Sequence, residues 1–411
     1  MNIRIPFQIA LLVCALALSY FFRYEIGLLT PPSIKVGVLH SLSGTMAFSE
    51  KSVKDGTLLA IKELNEQGGL LGRSIEAIVR DGKSDGPTFG LEAEKMISED
   101  KVAVVFGGWT STSRKTLKPI FEKFNHLLFY PLQYEGLETS PNIIYTRAAP
   151  NQQIIPAVKW AKDHLGKNFF LVGSDYVFPR TANAIIKDQL ILLRGNIVGE
   201  EYLQLGSYNV NTIIEKIVKA NPDVILNTIN GDSNIAFFKK LRDAGITSEK
   251  IPTMSFSFAE EELKFMGPKE FVGDYAAWNY FESIDTEQNK DFVRNYKETF
   301  GEDKVTDDPI EAAYFGVHLW ARAVRSALSF DPVAVRDALS EESYSAPEGI
   351  VYIDRETQHT WKTVRIGKIK ADGQFEIVWS SGKPIRPRPF PPYRTKAEWE
   401  KFLLQQRNGN E

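Results

Sequence analysis

At 411 residues the chain exceeds what one hydrophobic core usually organises, so two lobes or domains are expected. Apolar residues at 43% and charged residues at 25% are ordinary globular values and exclude a long disordered or fibrous region. A net charge of -3 without a long Lys/Arg run excludes the basic face of a nucleic-acid binder. The single cysteine, Cys14, excludes an internal disulfide, a cysteine zinc site and a catalytic thiol in the folded body. His40, His126, His164, His318 and His359 show no ligand spacing, so neither metal nor cofactor is expected.

The N-terminus reads as an address. Arg4 precedes an apolar run from Ile9 to Phe22 that Arg23 closes, shorter than the roughly 20 residues that comfortably span a bilayer. A secretory signal or a short signal anchor is predicted. Ala17-Leu18-Ser19 offers a cleavage site, and Leu11 to Cys14 resembles a lipoprotein box, with Val13 where a small residue is usual. Cleavage, acylation of Cys14 and retention as a membrane anchor all stay open. With the proline-stiffened linker Thr30 to Ser33, this segment fills residues 1–33.

Next comes a buried strand, Ile34 to Leu39, followed by a polar loop and a helix from Ser52 to Asn65 that Gly68-Gly69 ends. A strand at Ile75 to Val79, a helix at Pro87 to Ser98 and strands at Val102 to Phe106 and Leu127 to Phe129 continue the alternation. It restarts with strands at Asn168 to Gly173, Ile197 to Leu203, Val224 to Thr228 and Pro252 to Ser255. Helices at Arg180 to Leu193, Val210 to Lys219 and Asn234 to Ala244 separate them. Helices at Thr286 to Phe300 and Pro309 to Ser329 follow, then strands at Trp361 to Ile369 and Phe375 to Val378. Lys383 to Tyr393, with five prolines, is an extended strap before a short helix at Lys396 to Leu404. Such alternation predicts an α/β protein of two doubly wound parallel-sheet lobes. Lobe one takes residues 34–149 and 276–345, lobe two residues 150–275 and 346–380, and the strap and terminal helix residues 381–411.

In open α/β sheets, ligands bind beyond the carboxyl ends of the strands. The loops there are His40 to Gly44, Gly107 to Ser113, Tyr130 to Glu135, Ser174 to Phe178, Asn230 to Ser233 and Ser255 to Ser257. They are rich in hydroxyls, amides and aromatic rings and poor in positive charge, which suits a flat, neutral amide of the size of urea, formamide or acetamide. Trp109, Tyr130, Tyr176 and Phe178 supply aromatic faces; Ser111, Gln133, Asp232 and Ser257 supply rim groups. Ser111 and Ser174 are equally placed to cap the helices that follow, and Tyr130 to pack in the core. No G-x-G-x-x-G, G-x-x-x-x-G-K-[ST] or G-x-S-x-G motif occurs, so the chain reads as a binder rather than an enzyme.

Val36 to Met46, Phe106 to Ser111, Leu127 to Gly136, Ala149 to Gln153, Gly173 to Thr181 and Asn230 to Asn234 together resemble the substrate-binding proteins of urea ABC transporters. These belong to the wider periplasmic branched-chain amino-acid and amide-binding family, and the resemblance runs from Ile34 to Leu403. It implies a type I periplasmic-binding fold with a three-crossover hinge, an extracytoplasmic location and delivery of a small neutral ligand to a membrane permease. It places an aromatic and a serine contact on Trp109 and Ser111, a tyrosine on Tyr130, and an aromatic pair on Tyr176 and Phe178. Where amide binders carry a threonine within the Y-P motif this chain has Leu132, and Gln133 follows it. A sensor that signals amide binding to a partner protein is the alternative to a transport role.

Overall fold

The computed structural model describes residues 31–408; the segment read as an export signal, with Cys14 and the predicted cleavage site, lies outside them. Lobe one is built on β1 (Ile34–His40), β2 (Ile75–Asp81), β3 (Val105–Gly107), β4 (Leu128–Tyr130) and β5 (Ile143–Tyr145), all parallel, in the order β2-β1-β3-β4-β5. α1 (Ala47–Glu66), α2 (Gly86–Lys95) and α3 (Ser111–Phe124) link the first four strands. Asp85 and Thr110 cap α2 and α3 by accepting backbone N–H bonds from Thr88 and Ser113. Rings of Phe106, Phe129 and Trp320 pack at the centre of this core.

After α4 (Ile154–His164), lobe two adds β6 (Asn168–Ser174), α5 (Val177–Leu193), β7 (Asn196–Leu203), α6 (Asn211–Ala220), β8 (Val224–Thr228), α7 (Ser233–Asp243), β9 (Thr253–Ser255), α8 (Glu260–Met266) and β10 (Tyr275–Trp278). The chain then returns to lobe one through α9 (Glu287–Phe300), α10 (Asp308–Ala327), α11 (Pro332–Leu339) and a small antiparallel sheet of β11 (Ser343–Ala346), β12 (Gly349–Ile353) and β13 (Thr360–Trp361). β14 (Arg365–Ile369) and β15 (Phe375–Ser380) close the second sheet, ordered β15-β14-β10-β9-β8-β6-β7, with the last two strands antiparallel. The C-terminal helix is α12 (Lys396–Asn408).

Two sequence boundaries shift. β10 stays in the second sheet, so the second crossing follows Trp278 rather than residue 275. The third lies between Trp361 and Arg365 rather than at 346, because Val351 and Ile353 bury themselves in the core of lobe one. The predicted strand from Trp361 to Ile369 is accordingly two strands, one on each side of the hinge. α4, which the alternation of elements does not reveal, begins with Ile154-Ile155-Pro156; a proline in a first turn removes no intrahelical bond.

Asn279 ties the three crossings together. Its amide donates to the Gln152 carbonyl at 3.1 Å and to the Thr363 carbonyl at 3.0 Å. Beside it, buried Arg147 pairs with Asp308 at 2.6 Å. The proline-rich strap runs over this hinge: the Leu137 N–H donates to the Pro389 carbonyl at 2.8 Å, and Gln152 Nε2 to the Ile385 carbonyl at 2.8 Å. A Cβ on Gly136, whose φ is +73°, would lie 2.2 Å from the Pro389 oxygen, so this close approach requires glycine. α12 then docks on lobe two through Trp399, which is fully buried. Among the described residues no helix is long and apolar enough to cross a membrane.

Candidate functional site

Each sheet reverses its strand order once, between β1 and β3 in lobe one and between β6 and β8 in lobe two. The loops that follow these four strands are those the switch-point rule selects. The lobes are in contact across the cleft. Gln133 Nε2 donates to the Phe256 carbonyl at 3.0 Å, and Ser49 Oγ donates to Glu262 Oε1 at 2.9 Å. The Phe48 and Phe265 rings lie 4.2 Å apart, and Lys264 pairs with Asp303 at 3.0 Å.

Trp109, Ser111 and Tyr130 form one network on lobe one. Tyr130 is fully buried and its hydroxyl donates to the Trp109 carbonyl. Ser111 does not cap α3, since Thr110 does; its hydroxyl donates to Glu135 and accepts from Arg114 Nη1 at 2.9 Å. Arg114 is buried and pairs with Glu135 at 2.8 Å and Glu138 at 2.9 Å. Burial works against ionisation of the Glu138 carboxyl, but Arg114 and Lys115 outweigh it and hold the group down at about 2. Tyr130 and Ser111 therefore serve as backing for the cleft wall, with their polar atoms spent inside lobe one, rather than as the free contacts expected of them. Phe178 is corrected likewise: in the first turn of α5 its ring turns into the core of lobe two and leaves 3% exposed. Ser174 does not cap α5; its hydroxyl accepts the Asn230 N–H at 3.0 Å and joins two loops of the cleft.

Gln133, Asp232 and Ser257 behave differently. Gln133 Oε1, Asp232 Oδ1 and Ser257 Oγ are buried atoms without a hydrogen-bond partner, and so is Ser233 Oγ. The other oxygen of Asp232 accepts from the Tyr208 hydroxyl at 2.6 Å. Asp232 and Ser233 follow β8 and Ser257 follows its neighbour β9; Gln133 reaches the same β9 loop from lobe one. Native proteins seldom leave such groups unpaired, and the atoms here are acceptors or hydroxyls.

A cavity of about 220 Å³ lies between the lobes, lined among others by Ser41, Thr45, Met46, Glu50, Thr110 and Tyr176. Of the eight predicted contacts Tyr176 alone lines it; burial pushes its hydroxyl well up, so it stays protonated. The sequence missed Glu50 because α1 starts at Ala47, ahead of the periodic stretch from Ser52, which places Glu50 in its first turn. A second groove of about 430 Å³ opens where Thr112, Lys115 and Tyr176 face Leu403 and Gln406 of α12.

A family model described as periplasmic binding protein domain matches residues 34–396. The chain belongs to the periplasmic binding protein family. As such it is a binding protein and not an enzyme. Leu/Ile/Val-binding protein homolog 6 of Brucella melitensis is 22% identical over 347 residues, covering 82% of this periplasmic binding protein and 88% of that one. A solute binding protein from R. palustris in complex with 4-hydroxybenzoate superimposes with a TM-score of 0.78 at 23% identity, over 87% of this chain and 98% of that one. LivJ from Streptococcus pneumoniae in complex with isoleucine does so with a TM-score of 0.76 at 19% identity, over 86% and 100%. At such identities the solved structures agree in fold alone. A stretch of 124 residues is 34% identical to limonene hydroxylase of Geobacillus stearothermophilus, but the chain covers 23% of that protein, and no chemistry follows from so partial a match.

Proposed function

We propose that this protein captures urea or a short amide between its lobes outside the cytoplasm and hands it to the membrane permease of an ABC transporter. The observation that carries the reading is the set of unpaired buried atoms of Gln133, Asp232 and Ser257. Two are acceptors and the third a hydroxyl. A planar molecule with several N–H groups and one carbonyl offers a partner to groups of each kind, whereas an apolar side chain leaves them unpaired at a cost of about 1–3 kcal/mol each. Tyr176 supplies an aromatic wall. The transport role rests on the family and on relatives described as ABC transporter binding proteins. Export and anchoring rest on the N-terminal apolar run.

Ligand size bounds the affinity. At about 1.5 kcal/mol per heavy atom, urea's roughly four heavy atoms yield at most about 6 kcal/mol, a Kd near 40 µM, unless lobe-lobe contacts add to it. Calorimetric titration with urea, acetamide, isoleucine and 4-hydroxybenzoate tests the proposal. Saturable heat with urea and weak heat with the two carboxylates is expected; silence with urea and tight isoleucine binding overturns it. Asp232→Ala and Ser257→Ala should each weaken urea at least about tenfold while leaving the melting temperature within a few degrees.

A further inference from the structure

We propose that Glu50 sets the charge class of the solute, so that the cleft admits neutral or cationic N–H donors and refuses carboxylates; this rests on the amide reading of the cleft. Glu50 is the one carboxylate among the residues lining the 220 Å³ chamber, which otherwise presents Ser and Thr side chains, the apolar side chains of Met46, Phe89 and Leu205 and the ring of Tyr176. It is 1% exposed, so water screens it little. Its Oε2 accepts the Ser41 N–H at 2.7 Å and has His40 Nδ1 3.4 Å away, although neither ring nitrogen of the fully buried His40 makes a hydrogen bond.

Apart from His40, which faces Glu50 and does not line the chamber, the basic groups nearest the cleft are spent elsewhere. Arg114 serves Glu135 and Glu138, and Lys115 lies 3.3 Å from Glu138 and 3.7 Å from Glu135. A ligand carboxylate in the chamber would meet the like charge of Glu50 with no Lys, Arg or His among the lining residues to offset it. At about 6 Å and an effective dielectric of about 20, that repulsion lowers affinity on the order of a hundredfold. An ammonium or amidinium gains by the same geometry, and a neutral amide is nearly indifferent to it. Selection here works by a group hostile to the wrong ligand as much as by contacts to the right one.

Three planar isosteres differing in charge test this: acetate, acetamide and acetamidinium, titrated by calorimetry beside urea into the full chain and its Glu50→Gln, Glu50→Asp and Asp232→Asn variants. The wild type should bind acetamide at least about tenfold tighter than acetate, with acetamidinium tightest. Glu50→Gln should shift the acetate-to-acetamidinium ratio at least about tenfold toward acetate. Glu50→Asp, which keeps the charge, should keep the ranking, so damage to the fold is told apart from loss of charge. An unchanged ratio in Glu50→Gln, a shift found only in Asp232→Asn, or acetate binding as tightly as acetamide to the wild type overturns the role of Glu50. Urea binding with an unchanged ratio leaves the amide reading standing without Glu50; a silent urea with the charge ranking intact and lost in Glu50→Gln does the reverse. Silence of the whole series overturns both.

Discussion

Arg114 has no water to fall back on. Its guanidinium neutralises Glu135 and Glu138 and braces the Ser111 and Tyr130 hydroxyls, and all of these but the partly exposed Glu138 are buried. Arg114→Met should cost about 3–5 kcal/mol, read as a fall in the calorimetric melting temperature, because Glu135 is left charged in the interior. Glu138, held at about 2 against an ordinary 4.5, contributes stability that is present above pH 4.5 and lost as the pH falls toward 2. The midpoint of acid unfolding should therefore move to higher pH in Glu138→Gln. None of this network was legible in the sequence. The loops after β3 and β4 announce themselves by hydroxyls and rings, but whether a hydroxyl faces a solute or a neighbouring carboxylate depends on where Arg114, one turn into α3, folds back. That Asp232, Gln133 and Ser257 stand on loops beyond strand ends was legible from the alternation of strands and helices.

At the level of elements, strands with consecutive buried residues and long capped helices were readable: β1, β6 and β8 are apolar on both faces, as a covered parallel sheet demands. The three-residue strand β5 and the half-exposed hinge-side sheet of β11 to β13 carry too little pattern to register. The strap was visible as a run of prolines, whereas its partners were not. It is fixed at both ends, by Arg386 to Asp354 at 3.0 Å and by Arg394 to Asp188 at 2.6 Å and 2.8 Å. Trp399→Ala should cost about 3–5 kcal/mol of stability, measured by thermal melting, since the ring is fully buried against lobe two.

Closure of the whole molecule should take up a proton. Burial, helped by Glu262, pushes the Glu261 carboxyl on α8 up to about 7 from an ordinary 4.5; Asp55 of lobe one also raises it, and Lys304 and Lys264 oppose. Parting the lobes removes the Asp55 and Lys304 neighbours and readmits water. The contribution of this group to the closed form is thus complete below pH 4.5 and lost as the pH rises through 7. Solute affinity should fall between about pH 5 and 7 by less than tenfold per unit, and Glu261→Gln should flatten the profile in calorimetric titrations; an equally steep profile in that variant would show that another group titrates. Finally, the groove between Lys115 of lobe one and Leu403 and Gln406 of α12 should change width as the hinge turns, since its two walls belong to different lobes. A fluorophore fixed at Gln406, which does not line the cavity beside Glu50, would sit across that gap and convert hinge rotation into a change of emission, making the protein a reagentless optical reporter of its own solute.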